Sequence, residues 1–307
     1  MCPRISVHRF SHQAMGTFFE VLVAGEDETY SGQAAQAVFS EVDRLERLFS
    51  RFDPGSDIGR ANRLRPGEEL AIGPDTYECL ALAEEARRET AGAFDVNVRA
   101  RNARNTGTHD LSVLESGQLS YVSPYLLVGG GERFLIRRPP QDPSAFIGLD
   151  LDLGGIGKGY ALDRALEILK EWSLENVLLQ GGTSTALAIG SAPQEENTNL
   201  KGWPVGAGGG WPETPGQVLL SGRALSGSGK EVKGEHILDP RTGLPARGHL
   251  AAWASHPSAA LADACSTALL VMDAAEVEDF CRRHPEVWAC AVAGYGSVRI
   301  FNPGLLA

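Results

Sequence analysis

The sequence predicts an α+β protein with mixed, largely antiparallel sheets and packed helices. Two observations lead to this class. Segments with the 3.6-residue period of an amphipathic helix alternate along the chain with short apolar runs that are typical of strands. Late in the chain, further apolar runs follow one another at the spacing of hairpins. We find no internal repeat and expect residues 1–307 to form a single domain.

The first half of the chain contains one predicted strand and two predicted helices. An apolar run at 18–23 predicts the strand. From residue 34 the period becomes helical, with apolar residues at spacings of four, three and four, namely Val38, Val42, Leu45 and Phe49. Pro74 opens a second helix, which we expect to end near Thr90. Signals are weaker at 100–150, with possible strands at 125–128 and 134–137.

The second half adds two predicted helices and three buried strands. One helix follows the segment GGIGKG, and the other runs from about Leu261 to Met272. The strands are expected at 177–179, 218–220 and 287–292. The stretch from Pro193 to Gly216 is rich in Gly, Pro and Trp and is predicted to be a long surface excursion.

The composition limits the possible classes of function. The chain carries 28 Lys and Arg against 39 Asp and Glu residues, a net charge of −11. This balance argues against a nucleic-acid-binding protein, because such a protein needs a basic face to displace counterions from phosphates. The five cysteines are scattered, and none forms a C-x-x-C pair. We therefore expect reduced, mostly buried cysteines and neither a zinc site nor a disulfide framework.

The location of the protein is predicted from its apolar runs. No run approaches the ~20 residues of a transmembrane helix, and the N-terminal stretch MCPRISVHRFSHQAMG lacks the apolar core of a signal peptide. We expect a cytoplasmic protein without a transmembrane segment. Cys2 directly after Met1 leaves an alternative open, a periplasmic or membrane-anchored protein whose leader has been removed.

A glycine-rich segment, DLGGIGKGY at 152–160, directly precedes a predicted helix. Glycines let the backbone approach a ligand closely, and the free N–H groups of a helix N-terminus favour an anion. A Walker A loop is excluded, because its first Gly would fall on Asp152 and Gly159 replaces the required Ser or Thr. The segment is therefore either a phosphate-binding turn or a strand-to-helix turn without a ligand.

Asp263 and Thr267 lie four residues apart in ADACST and share one face of a predicted helix. A carboxylate and a hydroxyl one turn apart are hard oxygen donors suited to Mg²⁺, with a phosphate to complete the shell. The alternative is an ordinary first helical turn with a capping Asp and a hydrogen-bonded Thr.

The segment HILDPRTGLP at 236–245 contains a turn, since Pro240 fixes φ and Gly243 supplies a positive φ. His236 precedes it in a strand-like stretch, where it could orient a substrate or exchange protons near neutral pH. The alternative is a buried histidine that holds the turn through a hydrogen bond.

The three segments at 152–160, 236–245 and 262–267 occur in the order of the motifs of the ApbE family and resemble them. Further segments of the chain resemble the same family. The matching segments are MGT at 15–17, FSRFDPGSDIGRAN at 49–62, TAGAFD at 90–95, DLGGIGKGYALD at 152–163, LQGGT at 179–183, HILDPRTGLP at 236–245 and ADACSTALLVM at 262–272. The resemblance covers most of the chain from about residue 11. Motifs that occur in the family's own order make the resemblance very specific.

The resemblance implies a role for each matched residue. Asp263 and Thr267 would bind Mg²⁺, with the backbone carbonyl of Gly155 as a third ligand. Lys158 would lie near the diphosphate of FAD and assist catalysis, and His236 or Asp239 would act as the base for the incoming hydroxyl. The residues implied to contact or surround the flavin and adenosine groups are Met15, Phe52, Ser56, Asp95, Lys158, Gly181, Gly182 and His236.

The family consists of FAD:protein FMN transferases, so the resemblance implies an enzyme that uses Mg²⁺ and FAD. It would transfer FMN to a Thr or Ser hydroxyl of an acceptor protein through a phosphoester bond, with release of AMP. Attack of a hydroxyl on phosphorus needs positioning and cations on the phosphate oxygens, which the predicted motifs would supply. Two alternatives stay open: a Mg²⁺-dependent FAD pyrophosphatase that uses water, and a non-catalytic FAD-binding protein.

Overall fold

The computed structural model describes residues 6–100, 124–130, 133–140, 148–193, 201–208, 210–229, 237–294 and 296–306. Its largest element is an eight-stranded sheet whose neighbouring strands are all antiparallel. In spatial order the strands are β1 (Val7–Ala14), β2 (Thr17–Ala24), β6 (Val177–Gly181), β7 (Thr185–Ile189), β10 (Arg223–Gly229), β11 (Ala251–His256), β12 (Trp288–Val292) and β13 (Val298–Phe301).

Two smaller antiparallel sheets and a set of helices complete the described structure. The smaller sheets consist of β3 (Glu69–Ala71), β5 (Arg133–Arg137) and β4 (Leu126–Gly130), and of β8 (Trp203–Ala207) with β9 (Gly216–Leu220). The helices are α1 (Glu28–Phe49), α2 (Asp57–Ala61), α3 (Pro74–Glu89), α4 (Gly157–Glu171), α5 (Ala259–Val271), α6 (Ala274–Arg283) and a short 3-10 helix at Pro303–Leu305.

The eight-stranded sheet separates two hydrophobic cores, because successive side chains of a strand point to opposite faces. On β6 and β7, Val177, Leu179 and Leu187 belong to the larger core, on the face where the helices pack. Leu178 belongs to the smaller core on the other face, which the β8–β9 pair covers with Trp203. Alternate positions of one strand therefore serve different sides of the sheet.

Helix α5 lies at the centre of the larger core, in contact with β10, β11, α3 and α4. Its sequence AALADACSTALLV is rich in small residues, which allow neighbouring elements to approach its backbone closely. Most of the helix is buried, including Asp263. A carboxylate in this position lies inside the protein and needs polar partners there.

The predicted class, α+β with largely antiparallel sheets, is confirmed. The helices predicted at 34–49, 74–90 and 261–272 correspond to α1, α3 and α5. The helix predicted after the glycine-rich segment is α4, which begins inside that segment at Gly157. The prediction of a surface excursion at 193–216 is partly wrong, because β8 lies within it and covers the smaller core. The sequence WPVGA of β8 hides this strand, since Pro and Gly both weaken a strand signal.

Four of the five cysteines, Cys79, Cys265, Cys281 and Cys290, lie in described segments and are buried free thiols. Burial raises the pKa of the Cys265 thiol to about 12, so this thiol stays protonated at neutral pH. In the described parts of the chain, no helix is both long enough and apolar enough to cross a membrane.

Candidate active site

A cavity of about 1100 Å³ opens where the ends of several strands and helices meet. This volume slightly exceeds the ~300–1,000 Å³ typical of small-molecule sites, so the cavity can hold a large ligand. Segments far apart in sequence form its wall: residues 15–17, 46, 49–52, 152–154, 157–158, 180–186, 205–206, 208, 211, 225, 227–229, 250–251 and 253. Of the residues singled out from the sequence, Met15, Phe52, Lys158, Gly181 and Gly182 line it.

The turn between β1 and β2 places Met15 on the cavity wall. Met15 and Gly16 are the two central residues of this hairpin, and both have positive φ, 51° and 71°. That conformation suits Gly, whereas for Met it is sparsely populated and costs about 1 kcal/mol or more. The N–H of Met15 donates to Oε1 of Glu46 on α1 at 2.7 Å, which stabilises the turn. Strained backbone of this kind concentrates at functional sites.

The glycine-rich segment turns at the cavity and leads into α4. Oδ1 of Asp152 accepts a hydrogen bond from the N–H of Gly154 at 2.9 Å, which closes the turn. Gly155 fits because it has no side chain: a Cβ there would lie 3.3 Å from Oγ1 of Thr267. Lys158, in the first turn of α4, lines the cavity, and its Nζ donates to the carbonyl of Gly154 at 3.1 Å.

Lys158 and Asp263 form an ion pair, with Nζ 3.2 Å from Oδ2 and side chains that are 16% and 4% exposed. The other carboxylate oxygen, Oδ1, accepts a hydrogen bond from Oγ of Ser226 at 3.1 Å and lies 3.4 Å from Oγ1 of Thr185. Ser226 and Thr185 are cross-strand partners on β10 and β7, so the sheet register brings both hydroxyls to the carboxylate. Asp263 therefore has the charged and hydrogen-bonding partners that a buried carboxylate requires.

Thr267 lies one turn after Asp263 on α5, at the edge of the same group. Its hydroxyl donates to the backbone carbonyl of Asp263 at 3.2 Å. Oγ1 of Thr267 also lies 3.4 Å from Oγ of Ser228, a residue of the cavity wall. Gly155, Lys158, Asp263 and Thr267 are thus neighbours beside the cavity.

The donor atoms of this group suit a hard cation. Carboxylate, hydroxyl and carbonyl oxygens are the ligands that Mg²⁺ accepts, and Mg²⁺ in proteins is commonly held by one or two carboxylates together with substrate phosphates. Among the described residues, no group of three or more His, Cys, Asp and Glu side chains could hold a metal ion. The donor set therefore fits Mg²⁺ when a ligand supplies further oxygens, and it does not form a protein-only metal cage.

Ser56 and Asp95 are buried and do not line the cavity. Ser56 is the N-cap of α2, where its Oγ accepts a backbone N–H of that helix at 2.8 Å. The same hydroxyl donates to the carbonyl of Ser50, a residue of the cavity wall, at 2.5 Å. Oδ1 of Asp95 accepts from the N–H of Asn97 at 2.8 Å. Both side chains therefore stabilise the backbone of the motif segments, Ser56 at 49–62 and Asp95 directly after 90–95.

Asp239 does not line the cavity either, and its carboxylate is bound by Arg241. Oδ1 and Oδ2 of Asp239 accept from Nε and Nη2 of this guanidinium, both at 2.9 Å. Arg241 also contacts Glu276 on α6. The hydrogen bond to Asp239, together with Glu276, raises the pKa of Arg241, so the guanidinium keeps its charge. His236 lies outside the described residues.

Sequence reasoning did not single out Arg51, Trp211 or Trp253, which line the cavity. A Cβ on Gly227 would lie 2.6 Å from Nε1 of Trp253, so the indole occupies space that only a glycine at 227 leaves free. Arg51 donates to Asp150 at 2.9 Å, and its Cζ lies 5.1 Å from the ring centre of Phe52. Of these three residues, only Trp211 has a local sequence signal for a binding site, because it is an aromatic residue in a Gly-rich stretch.

Similarity to known proteins extends over most of the chain. The ApbE family matches residues 15–291. A protein of Klebsiella pneumoniae (strain 342) named FAD:protein FMN transferase is 24% identical over 284 residues, which cover 85% of this chain and 77% of that protein. A protein of the same name from Escherichia coli (strain K12) is 23% identical over 288 residues, with 88% and 80% covered.

Solved structures show the same fold. The apo flavinyl transferase ApbE of Pseudomonas stutzeri superimposes with a TM-score of 0.72 at 22% identity, covering 98% of this chain and 97% of that chain. An ApbE protein from Thermotoga maritima gives a TM-score of 0.75 at 24% identity, with 96% and 97% covered.

Proposed function

The chain belongs to the ApbE family, and we propose that it is a FAD:protein FMN transferase that works with Mg²⁺. In this reaction a Thr or Ser hydroxyl of an acceptor protein attacks the FMN phosphorus of FAD. The new phosphoester bond forms as the bond to AMP breaks, and the hydroxyl proton passes to a base. The names of the relatives support the flavin transfer. We further propose that residues 1–307 act as one unit.

The observation that carries this proposal is that a charged, oxygen-rich group and a set of aromatic and apolar side chains lie around the same cavity. One part of the wall offers Lys158, the glycine-rich turn and, directly behind them, Asp263 and Thr267. Another part offers Met15, Phe52, Trp211 and Trp253. A cationic, oxygen-rich group suits a diphosphate, whereas aromatic and apolar side chains suit ring systems. FAD has a diphosphate between two ring systems, which corresponds to this arrangement.

The chain's own residues supply positioning and charge. Lys158 would contact the diphosphate, where its ammonium group stabilises negative charge that moves onto the leaving AMP oxygen. Asp263, Thr267 and the carbonyl of Gly155 would hold Mg²⁺. Oδ1 of Asp263 accepts the hydroxyl of Ser226, and Oδ2 faces Lys158. When bound, Mg²⁺ would neutralise phosphate charge and polarise the phosphorus–oxygen bonds.

The flavin and adenosine groups would contact Met15, Phe52, Gly181 and Gly182, all on the cavity wall. Gly182 has φ of 68° in the turn after β6, and a Cβ there would lie 2.5 Å from Oγ1 of Thr17. The missing side chain therefore lets this turn of the cavity wall pack closely against Thr17 of β2. We propose that Ser56 and Asp95 act indirectly, because their hydrogen bonds hold neighbouring backbone and their side chains do not line the cavity.

His236 and Asp239 remain our two candidates for the base that accepts the hydroxyl proton. The carboxylate of Asp239 accepts three hydrogen bonds from Arg241, one from its backbone N–H and two from its guanidinium. The bidentate pair favours a supporting role, in which Asp239 and Arg241 fix the turn that follows His236. His236 is then the stronger candidate on chemical grounds, since imidazole exchanges protons near neutral pH.

Mass spectrometry of a Thr- or Ser-containing acceptor protein, after incubation with FAD and Mg²⁺, tests the proposal. We expect the acceptor to gain the mass of an FMN phosphoester, with one AMP released for each modified acceptor. A parallel reaction without acceptor measures free FMN. Rapid release of FMN and AMP there, with no acceptor modification, would establish a pyrophosphatase instead. FAD binding without any AMP would establish a non-catalytic binding protein.

A further inference from the structure

Asp163, in the second turn of α4, contacts the N-terminus of α5 through three hydrogen bonds. Its Oδ1 accepts the N–H of Ala259 at 2.7 Å, and its Oδ2 accepts the N–H of Ala260 at 3.0 Å. Oδ2 also accepts the hydroxyl of Ser258, the N-cap of α5, at 2.7 Å. A carboxylate from one helix thus caps another helix that lies almost a hundred residues later in the chain.

These contacts complete the first turn of α5. A helix leaves its first four N–H groups without partners inside the helix. Asp163 accepts two of them, Oγ of Ser258 accepts that of Leu261, and Nδ1 of His256 accepts that of Ser258. The negative charge of Asp163 also lies at the positive end of the helix dipole, which is a favourable position. The orientation of α5 relative to α4 is therefore specified at this point.

The same two helices hold Lys158 and Asp263. Lys158 lies five residues before Asp163 on α4, and Asp263 follows the capped N–H groups on α5 by about one turn. Gly159 brings the helices into close contact between these points, since a Cβ there would lie 2.1 Å from the carbonyl oxygen of Ala259. A shift of α5 along or away from α4 would therefore change the distance from Lys158 to Asp263.

Asp163 is partly buried, and the N–H groups that it accepts belong to the fully buried residues Ala259 and Ala260. Burial raises the pKa of its carboxyl, and the bonds from Ala260, Ala259 and Ser258 oppose that rise. Removing it would leave two backbone N–H groups without their acceptor in a mostly buried place, which costs free energy for each. The loss of these acceptors would therefore favour a shift of helix α5.

We infer that Asp163 is a positioning residue that sets Asp263 and Thr267 against Lys158 and thereby the affinity of the site for a divalent cation. This inference rests on the proposed function. Residues that orient metal ligands from outside the coordination shell typically change metal affinity by about 10–100-fold when they are mutated. Asp163 does so through the backbone of α5, without touching the cation or the substrate.

The experiment measures the binding of Mn²⁺ by electron paramagnetic resonance in the presence of saturating ADP, whose diphosphate supplies the further oxygens that the site requires. Mn²⁺ is used because it shares the preference of Mg²⁺ for oxygen ligands. In Asp163→Asn, the amide oxygen replaces one carboxylate oxygen and still accepts hydrogen bonds. The NH₂ group replaces the other oxygen, so it faces a backbone N–H or the Ser258 hydroxyl that the wild-type carboxylate accepts. We expect the Kd for Mn²⁺ to rise by about 10-fold. The Mg²⁺ concentration for half-maximal transfer should rise in parallel, and saturating Mg²⁺ should restore most of the rate.

The matched control is Asp27→Asn. Asp27 also caps a helix, accepting the N–H groups of Thr29 and Tyr30 at the start of α1. It lies about 30 Å from the cavity end of that 22-residue helix, at ~1.5 Å per residue. We expect this variant to lose some thermal stability while its Kd for Mn²⁺ stays within about 2-fold.

The outcomes separate the inference from the proposed function. If Asp163→Asn melts at a lower temperature but binds Mn²⁺ as the wild type does, Asp163 is a structural cap and the inference is wrong. If the wild-type protein binds no Mn²⁺ and transfers FMN without Mg²⁺, the metal requirement in the proposed function is wrong as well.

If Asp163→Asn does not fold, Ser258→Ala removes one bond to Asp163 and should weaken Mn²⁺ binding by a smaller factor. An unchanged Kd in that variant would overturn the inference too.

Discussion

Nζ of Lys158 lies 3.2 Å from Oδ2 of Asp263, 105 residues later in the chain. The glycine-rich segment and the ADACST segment thus meet through opposite charges at the cavity. In the absence of a ligand the two groups neutralise each other. A diphosphate would offer Lys158 a second anionic partner and leave Oδ2 to a cation, so we expect this pair to separate if a diphosphate binds.

Replacing Lys158 should slow the reaction without unfolding the protein. Lys158→Met keeps the length of the aliphatic chain and removes the charge that would stabilise the leaving AMP oxygen. We expect the transfer rate to fall by at least ~10-fold, while circular dichroism stays unchanged. Lys170→Met, in the last turn of the same helix, is the control and should keep the wild-type rate. If a folded Lys158→Met protein keeps the wild-type transfer rate, Lys158 has no role in the reaction.

Removing Asp263 should affect both activity and stability. Asp263→Ala deletes the carboxylate of the proposed metal site, so we expect no detectable transfer at any Mg²⁺ concentration. It also leaves the mostly buried Lys158 without its charged partner, which should lower the free energy of unfolding by about 3 kcal/mol. Denaturant unfolding measures this cost, and the double variant with Lys158→Met should recover part of it.

The pair of His12 and Asp43, whose side chains are more exposed, provides the comparison for that experiment. Asp43→Ala should cost less than about 1 kcal/mol, because water screens this pair. Equal losses of stability for Asp43→Ala and Asp263→Ala would contradict the buried ion pair. Wild-type activity of Asp263→Ala at limiting Mg²⁺ would contradict the metal assignment.

Recognition of the flavin should depend on Phe52. Its ring is 84% exposed at the cavity wall, which leaves it free to cover a ligand ring. We expect FAD to bind at least ~10-fold more tightly than ADP or NAD, a difference of ~1.4 kcal/mol. Phe52→Ala should weaken FAD binding and leave ADP nearly unchanged, as measured by titration calorimetry.

Phe18 is the matched control for Phe52, since it is 58% exposed and lies outside the cavity lining. Phe18→Ala should bind all three ligands as the wild type does. Equal affinities of wild-type protein for FAD, ADP and NAD would reduce the site to a general diphosphate site.

Stability should depend on pH through His256. Burial lowers the pKa of its ring, against a raising effect of Glu286 and Glu85 and a further lowering effect of Arg223. Its Nδ1 accepts the N–H of Ser258 at 2.9 Å, which a protonated nitrogen cannot do. The unfolded state therefore binds more protons below the ordinary histidine pKa of about 6.5. Stability should fall as the pH drops from that value through the folded-state pKa.

His256→Asn should flatten this pH dependence, because the side-chain amide oxygen can accept the same N–H without titrating. Free energies of unfolding from denaturant titrations between about pH 5 and pH 7.5 measure the effect. His8→Asn, at the start of β1, should keep the wild-type slope. A wild-type slope in His256→Asn would show that other groups dominate acid destabilisation.

The elements that were predicted correctly from the sequence are those whose signals come from residues close together in the chain. Helices α1 and α3 were predictable because the apolar spacing of α1 and the start signal of α3 at Pro74 are local properties of the chain. The strands β7 and β10 were not, since TALAI and RALSGSG contain small and polar residues that carry little strand signal. Their identity as strands depends on neighbours in the sheet.

By itself, the sequence determined the α+β class, the helices around the glycine-rich and ADACST segments, and the family that these motifs indicate. Each of these depends on residues close together in the chain. Only the tertiary structure decided which hydroxyls surround Asp263 and that Asp163 caps α5. It also decided that Trp253 fills the space beside Gly227. These contacts arise from strand register and helix packing between distant segments, and no spacing within a single segment encodes them.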